Sequence, residues 1–365
     1  MAQGAPNYFT AEAMGFILAA LFFNTLTAPV VKMTQNSEGG YDYNKWRARG
    51  VPLFVSRHRR DSCPSDEAVR PNRDAPRRCI YFFAELMKLG VALAWCFKAY
   101  RENDREVVKH FNVDRSDFLQ YAVPGFVFFA QNNLSFLALQ HMNSSAFQLL
   151  MNTRIVSVAI LAVVMLGKRM HALEWTSIVL LMVGAMQYQL SGCGDDGYKI
   201  DTMGLCVMAV IVACAAGGNV YTQKVMQRKM DQPLMVQNAM LYVWGVIFNG
   251  TNWILSAMPS SEHHGAPPEL FGDVGGVQVF SMVFYAIYGL SISIILKRFG
   301  AITRTFINTA AICFTALIDV LFFGAEITPL ELTTFGVIML AVYLHTVLAR
   351  NYAPPPPPPP ATPEV

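Results

Sequence analysis

The feature that most constrains this chain is a recurrence. Stretches of about 20 apolar residues, the length a helix needs to cross roughly 30 Å of hydrocarbon, return ten times in 365 residues. They occupy 11–33, 79–99, 117–140, 144–166, 172–190, 203–226, 234–257, 277–296, 302–323 and 328–348. Lipid offers the backbone no hydrogen-bond partner, so only helices and closed barrels can span it. Runs of this length select the helix. The expectation is an all-α membrane protein with ten transmembrane helices. A charged share of 15%, against about 25% in soluble domains, agrees with it.

Lysine and arginine in the connections set the orientation of such a chain. One side collects Lys98, Arg101, Arg105, Lys109, Arg115, Lys168, Arg169, Lys224, Arg228, Lys229, Lys297, Arg298 and Arg350, while the other, the first loop aside, holds only Lys199. Both termini are thereby expected in the cytosol, with the first span as targeting signal. The loop 34–78 departs from this rule, since ten basic residues between Lys45 and Arg78 lie on the opposite side. It is long, polar and rich in Pro and Asp, which favours a luminal insertion over a missing or misplaced span, since long loops obey the charge rule loosely. In the tail 351–365, the unbroken prolines Pro354 to Pro360 favour an extended polyproline II rod. That rod is a passive spacer or a ligand for a cytosolic polyproline binder. Of seven cysteines, Cys96, Cys206, Cys214 and Cys313 lie in apolar runs, and Cys63, Cys79 and Cys193 share the luminal side, where a disulfide is chemically allowed. The net charge of +3 is spread over loops rather than gathered in a stripe, so nucleic-acid binding is not expected.

The two halves of the chain resemble one another at a spacing of about 156 residues. Leu134-Ser135 matches Leu290-Ser291 and Asn152-Thr153 matches Asn308-Thr309. After a one-residue slip, Gly167 matches Gly324 and Leu173-Glu174 matches Leu330-Glu331. Five spans per half is an odd number, so the second copy is expected to be inverted in the membrane. Two five-helix inverted repeats are a signature of carriers, with a site at the repeat interface near the midplane.

Within that frame Arg154 stands inside an apolar run, where an arginine costs roughly 2.5–3.5 kcal/mol and marks a pathway by default. The repeat pairs its helix with the one bearing Arg304, and Lys297 lies just before it. Three cations at one interface suit a phosphorylated substrate, because arginine grips phosphate with a planar fork. Lys297 and Arg304 also admit a plainer reading, as interfacial cations snorkelling to the cytosol. Asn132, Asn133, Gln148 and Asn152 surround Arg154 with amides that either glue helices or read a base or sugar edge. Asn219 and Tyr221 follow Gly217-Gly218, a pair suited to close helix packing, and are candidates to face a cavity. Glu85 and Lys88, one turn apart, read as an intrahelical pair, and Asp319 as a counter-charge. The chain contains no G-x-S-x-G, H-E-x-x-H or Walker A motif, so neither an enzyme nor an ATP-driven pump is expected, nor any cofactor or metal.

The segment Gln131-Asn132-Asn133-Leu134, then Phe147-Gln148, Asn152-Thr153-Arg154-Ile155-Val156, Gly167-Lys168 and Glu174-Trp175 closely resembles nucleotide-sugar transporters of the CMP-sialic acid and UDP-galactose group. The plant and algal branch is most similar, its N-L-R-I-V and S-G-C-G signatures being echoed at Asn152 to Val156 and Ser191 to Gly194. The resemblance implies a drug/metabolite transporter fold in the Golgi or endoplasmic reticulum membrane. It implies import of a pyrimidine nucleotide sugar into the lumen in exchange for the nucleoside monophosphate, by alternating access, and it admits a homodimer. Arg154 then corresponds to the family's substrate-site lysine, Lys297 to a second lysine and Tyr221 to a cavity tyrosine. Glu85, Lys88, Lys224 and Asn238 also fall on recurring family positions. The chain departs from its relatives at Phe128, Phe147 and Met151, where tyrosines often stand, at Gln223, where glutamate stands, and at Gly300-Ala301 in place of Asp-Asn. Those losses leave the sugar unnamed. A drug/metabolite exporter of other solutes and a non-transporting membrane scaffold are the rival readings.

Overall fold

The computed structural model describes residues 75–191, 200–257, 276–323 and 327–348. The expected first span 11–33, nearly all of the loop 34–78 and the tail 351–365 lie outside them, as do Cys63 and Cys193. Among the described residues every regular element is helical, and the β structure is one isolated antiparallel bridge between Met142 and Ile200.

In chain order the helices are α1 (Ala75–Arg101), α2 (Arg105–Val108), α3 (Arg115–Gln120), α4 (Ala122–His141), α5 (Ser144–Met151), α6 (Arg154–Leu166), α7 (Ala172–Ser191), α8 (Thr202–Arg228), α9 (Leu234–Ala257), α10 (Gly276–Arg298), α11 (Ala301–Phe323) and α12 (Pro329–Tyr343). A π-helical turn, Leu344–Leu348, extends α12. Among the described residues four stretches are long and apolar enough to cross a membrane: Arg115–His141, Ala146–Leu166, Thr202–Arg228 and Pro329–Leu348. Many large apolar side chains face outward, with Val164 73%, Leu332 63% and Phe97 62% exposed. In water so much exposed apolar surface would drive aggregation. Around a bilayer it is the surface that lipid covers.

Two of the expected runs carry a break. In 117–140 the helix is interrupted at Tyr121, because Pro124 has no N–H and its ring crowds the carbonyl of Gln120. In 144–166 it is interrupted at Asn152-Thr153. There the Thr153 hydroxyl donates to the Leu150 carbonyl at 2.7 Å, and the Asn152 amide donates across to the Ala185 carbonyl at 3.3 Å. Short polar side chains that bond backbone carbonyls in this way compete with the regular helical ladder.

The largest buried cluster joins α6, α7, α8, α11 and α12 through Ile155, Val158, Ile178, Leu181, Val220, Phe306 and Ile338. Six of its buried members are alanines, as expected where lipid supplies no hydrophobic drive and helices associate by close approach. Gly218 follows the same logic: a Cβ there would lie 3.1 Å from both Phe128 and Val127, so its role is packing of α8 on α4. The sequence match of Leu173-Glu174 with Leu330-Glu331 has a structural counterpart. The Glu174 carboxylate accepts the His171 N–H at 2.9 Å, and the Glu331 carboxylate accepts the Thr328 N–H at 3.0 Å. Each glutamate caps the start of its helix from three residues in. At α12 the Thr328 hydroxyl accepts the Glu331 N–H in return, completing a capping box. Of the cysteines in apolar runs, Cys96, Cys214 and Cys313 are half-buried, while Cys206 is exposed rather than packed.

Candidate functional site

The break at Asn152-Thr153 makes Arg154 the first residue of α6. Across the bundle, the turn Phe299-Gly300 ends α10 and starts α11. Gly300 has a φ of +91°, a region that side-chain-bearing residues avoid, and its N–H bonds the Ile295 carbonyl at 2.9 Å. The Gln223 side-chain carbonyl then accepts the Ala301 N–H at 2.8 Å, capping α11. This fixes Arg304 one turn into α11.

The guanidinium of Arg304 donates to the side-chain carbonyl of Asn219 on α8 and interacts electrostatically with Tyr288 on α10. Arg154 lies within electrostatic reach of both Arg304 and Tyr288. Two like charges therefore act on one another inside the bundle. Among the described residues no carboxylate acts on either, and the side chain of Asp319 is not among those described. Two polar atoms of this cluster are buried without a partner, Nε of Arg304 and Oδ1 of Asn308. Such an arrangement is poised for an anion. Unpaired cations in a medium of low polarity are expensive, and a bidentate oxyanion removes the repulsion between them.

Lys297 is elsewhere. Its ammonium is buried and donates to the backbone carbonyl of Gln232, between α8 and α9. Gln227 donates to the carbonyl of Lys297 at 3.1 Å and itself accepts from Gln223 at 3.0 Å. Lys297 thus belongs to a polar clamp joining α8 to the α10–α11 turn.

The other amides divide. Asn133 donates to the Phe129 carbonyl at 2.8 Å and accepts from Asn252 of α9 at 3.2 Å, a helix-joining contact. Asn152 is bonded to α7 as described. Asn132 is half-buried, and Gln148 is exposed on α5. Tyr221 is half-buried against a cluster of Tyr121, Met226, Met240 and Tyr242. The structure therefore brings Arg154, Arg304 and Asn219 together, holds Lys297, Tyr221, Asn133 and Asn152 in other contacts, and leaves Asn132 half-buried and Gln148 exposed.

A second polar group sits between α1, α9 and α10. Lys88 pairs with Glu85, as their one-turn spacing predicts. Its ammonium lies 4.8 Å from the centre of the Tyr242 ring, a cation–π distance. The Tyr242 hydroxyl meets the Ser293 hydroxyl at 3.3 Å. One turn before Tyr242, Asn238 is fully buried with neither side-chain atom partnered. Tyr242, Ser293 and Tyr288 carried no signal in the sequence beyond being polar residues in apolar runs. The spacing of Asn238 and Tyr242 by four places them on one helical face.

Comparison with known proteins agrees with this architecture. A crystal structure of a protein 14% identical in sequence superposes with a TM-score of 0.61, covering 93% of this chain and 98% of the other, a likeness of fold. In sequence the chain is 23% identical over 267 residues to CMP-sialic acid transporter 2 of Oryza sativa subsp. indica, covering 73% of this chain and 74% of that protein. It is 27% identical over 263 residues to CMP-sialic acid transporter 1 of Oryza sativa subsp. japonica, covering 68% and 78%. With the UDP-galactose translocator of Mus musculus it shares 26% over 275 residues, covering 72% and 68%. Residues 77–346 match the family model described as nucleotide-sugar transporter. With most of its length inside that match, the chain belongs to the nucleotide-sugar transporter family.

Proposed function

We propose that this protein is an antiporter of the Golgi membrane that carries a pyrimidine nucleotide sugar, a UDP- or CMP-sugar, into the lumen in exchange for the nucleoside monophosphate. The observation that carries the reading is the guanidinium pair of Arg154 and Arg304, which has no carboxylate partner among the described residues. Phosphate is the ligand that this pair lacks. Asn219 holds Arg304 in place for it, and Arg154 reaches it from the broken helix, a device that carriers use to bring irregular backbone to a substrate. Ten spans in two inverted five-helix repeats, with both termini cytosolic, complete the proposal. The matching caps at Glu174 and Glu331 support it.

Obligatory exchange follows from the same charges. An empty carrier must reorient with two facing cations unpaired, whereas either the nucleotide sugar or the monophosphate neutralises them, so loaded carriers move faster. Lys297 contributes once its ammonium leaves the Gln232 carbonyl, which couples its use to opening of the clamp. Tyr221, Tyr242 and the unpartnered amide of Asn238 offer a flat face and polar edges for a base.

The test is uptake of labelled UDP- and CMP-sugars by proteoliposomes preloaded with UMP, CMP, GMP or AMP. Stimulation by a pyrimidine monophosphate is expected. Uptake without trans-stimulation would point to an exporter of other solutes, and no uptake at all to a scaffold.

A further inference from the structure

We infer that Asn308 reads the sugar: its side-chain carbonyl accepts a hydrogen bond from a hydroxyl of the transported hexose while Arg304 holds the adjoining phosphate. The inference rests on the nucleotide-sugar reading above.

Asn308 is a neutral polar residue of α11 with capacity left over. Its Oδ1 is buried and unpartnered, and buried polar atoms are seldom left in that state without a role. The neighbouring hydroxyls are committed to their own helix, Thr305 to the Ala301 carbonyl at 3.0 Å and Thr309 to the Thr305 carbonyl at 3.1 Å. Asn152, the sequence-repeat counterpart of Asn308, is committed as well, to the Ala185 carbonyl. The two halves therefore use the same residue type differently, one as a tie between helices and one with its oxygen unused.

Position supplies the ligand chemistry. Asn308 lies four residues beyond Arg304, on the same helical face and about 6 Å further along the axis. Nε of Arg304 is also unpartnered, so this face offers a charged donor and, one turn on, a neutral acceptor. An anion bonded to a ring that bears hydroxyls satisfies both. A phosphate alone satisfies the first. The nucleotide sugar and the monophosphate share base, ribose and phosphate, and differ in the hexose, so a residue that reads the hexose separates them.

The experiment compares affinities for a nucleotide sugar and its matching monophosphate, by competition in proteoliposomes and by ligand-induced thermal shift of the purified protein. In Asn308→Ala, about tenfold weaker binding of the nucleotide sugar is expected, the size of one lost hydrogen bond to a neutral group. Binding of the monophosphate should stay within about twofold, and Asn308→Ser, which restores a short acceptor, should recover part of the loss. Equal weakening of both ligands would mean that Asn308 reads the shared nucleotide or only supports the fold, and would overturn the inference, as would no change in either. A variant too unstable for uptake is still read by the thermal shift against its own unliganded state. A wild-type protein that neither exchanges nor binds any nucleotide defeats the functional reading itself, whereas wild-type exchange with an unchanged ratio in Asn308→Ala defeats this inference alone.

Discussion

Two arginines within electrostatic reach of one another in a membrane bundle repel, and both are half-buried. Under the proposed exchange that cost is tolerable, because the carrier spends its cycle bound to one anion or another. Arg154→Gln and Arg304→Gln each remove one charge-assisted contact, worth about 1.5–3 kcal/mol. Each should therefore weaken nucleotide binding by roughly ten- to a hundredfold in competition assays. Asn219 gives a finer test, because it touches Arg304 without being charged. Asn219→Ala frees the guanidinium to rotate and should cost a few-fold in affinity. Asn219→Asp should cost more, since the new carboxylate pairs with Arg304 and takes the place of the substrate. If the two variants were equally impaired, Asn219 would not be acting through Arg304. Arg154 was legible in the sequence because a guanidinium inside an apolar run stands out at any register. The partners of Lys297 and Arg304 were not. Lys297 bonds a main-chain carbonyl, a group every residue carries, and the Arg304–Asn219 contact spans 85 residues between two helices whose mutual rotation no local pattern encodes.

At the scale of elements, the ends and breaks of helices carry the information. The capping box at α12 satisfies two N–H groups, so Thr328→Ala should lower stability by about 1 kcal/mol and reduce the melting temperature in detergent. Gly300→Ala meets two penalties. Its φ of +91° is costly for alanine by about 1–2 kcal/mol, and its Cβ would fall 2.5 Å from the Gln223 side-chain nitrogen. Gln223→Ala in the same chain should relieve the clash and leave the backbone strain, so the pair of substitutions should be non-additive in thermal melts. The helical class was legible in the apolar runs because length and hydropathy are local properties. Pro124 and the Asn152-Thr153 pair were visible residues, yet their breaks depend on what the freed carbonyls and amides can reach. For Asn152 that is Ala185 on another helix, a contact no single run contains. The matched glutamates were legible as a repeat, and their use as caps emerged only with the backbone in place.

Across the whole molecule, the proposed exchange cycle would divide its labour between the guanidinium pair and the polar clamp. The clamp runs from Ala301 through Gln223 and Gln227 to the carbonyls of Leu296 and Lys297, and from the Lys297 ammonium to Gln232. It lies at the end of the bundle where α8 meets the α10–α11 turn, the end that the proposed orientation puts toward the cytosol. Nearly all of its links are neutral amide–carbonyl bonds, each worth about 0.5–1.5 kcal/mol net, strong enough to bias a population and weak enough to open on every turnover. Gln227→Leu removes the bonds to Leu296, Lys297 and Gln223 and leaves Arg154, Arg304 and Asn219 untouched. A loss of about 1 kcal/mol changes the ratio of closed to open carriers by about fivefold. Amide exchange across 296–301 should therefore quicken in the variant. Apparent affinity measured from the cytosolic face should tighten, because a larger fraction of carriers is competent to bind there, and maximal exchange should change with it. If amide exchange quickened while transport from both faces stayed as in the wild type, the clamp would be a fixture of the fold, and opening would have to occur around some other contact between α8 and the α10–α11 turn.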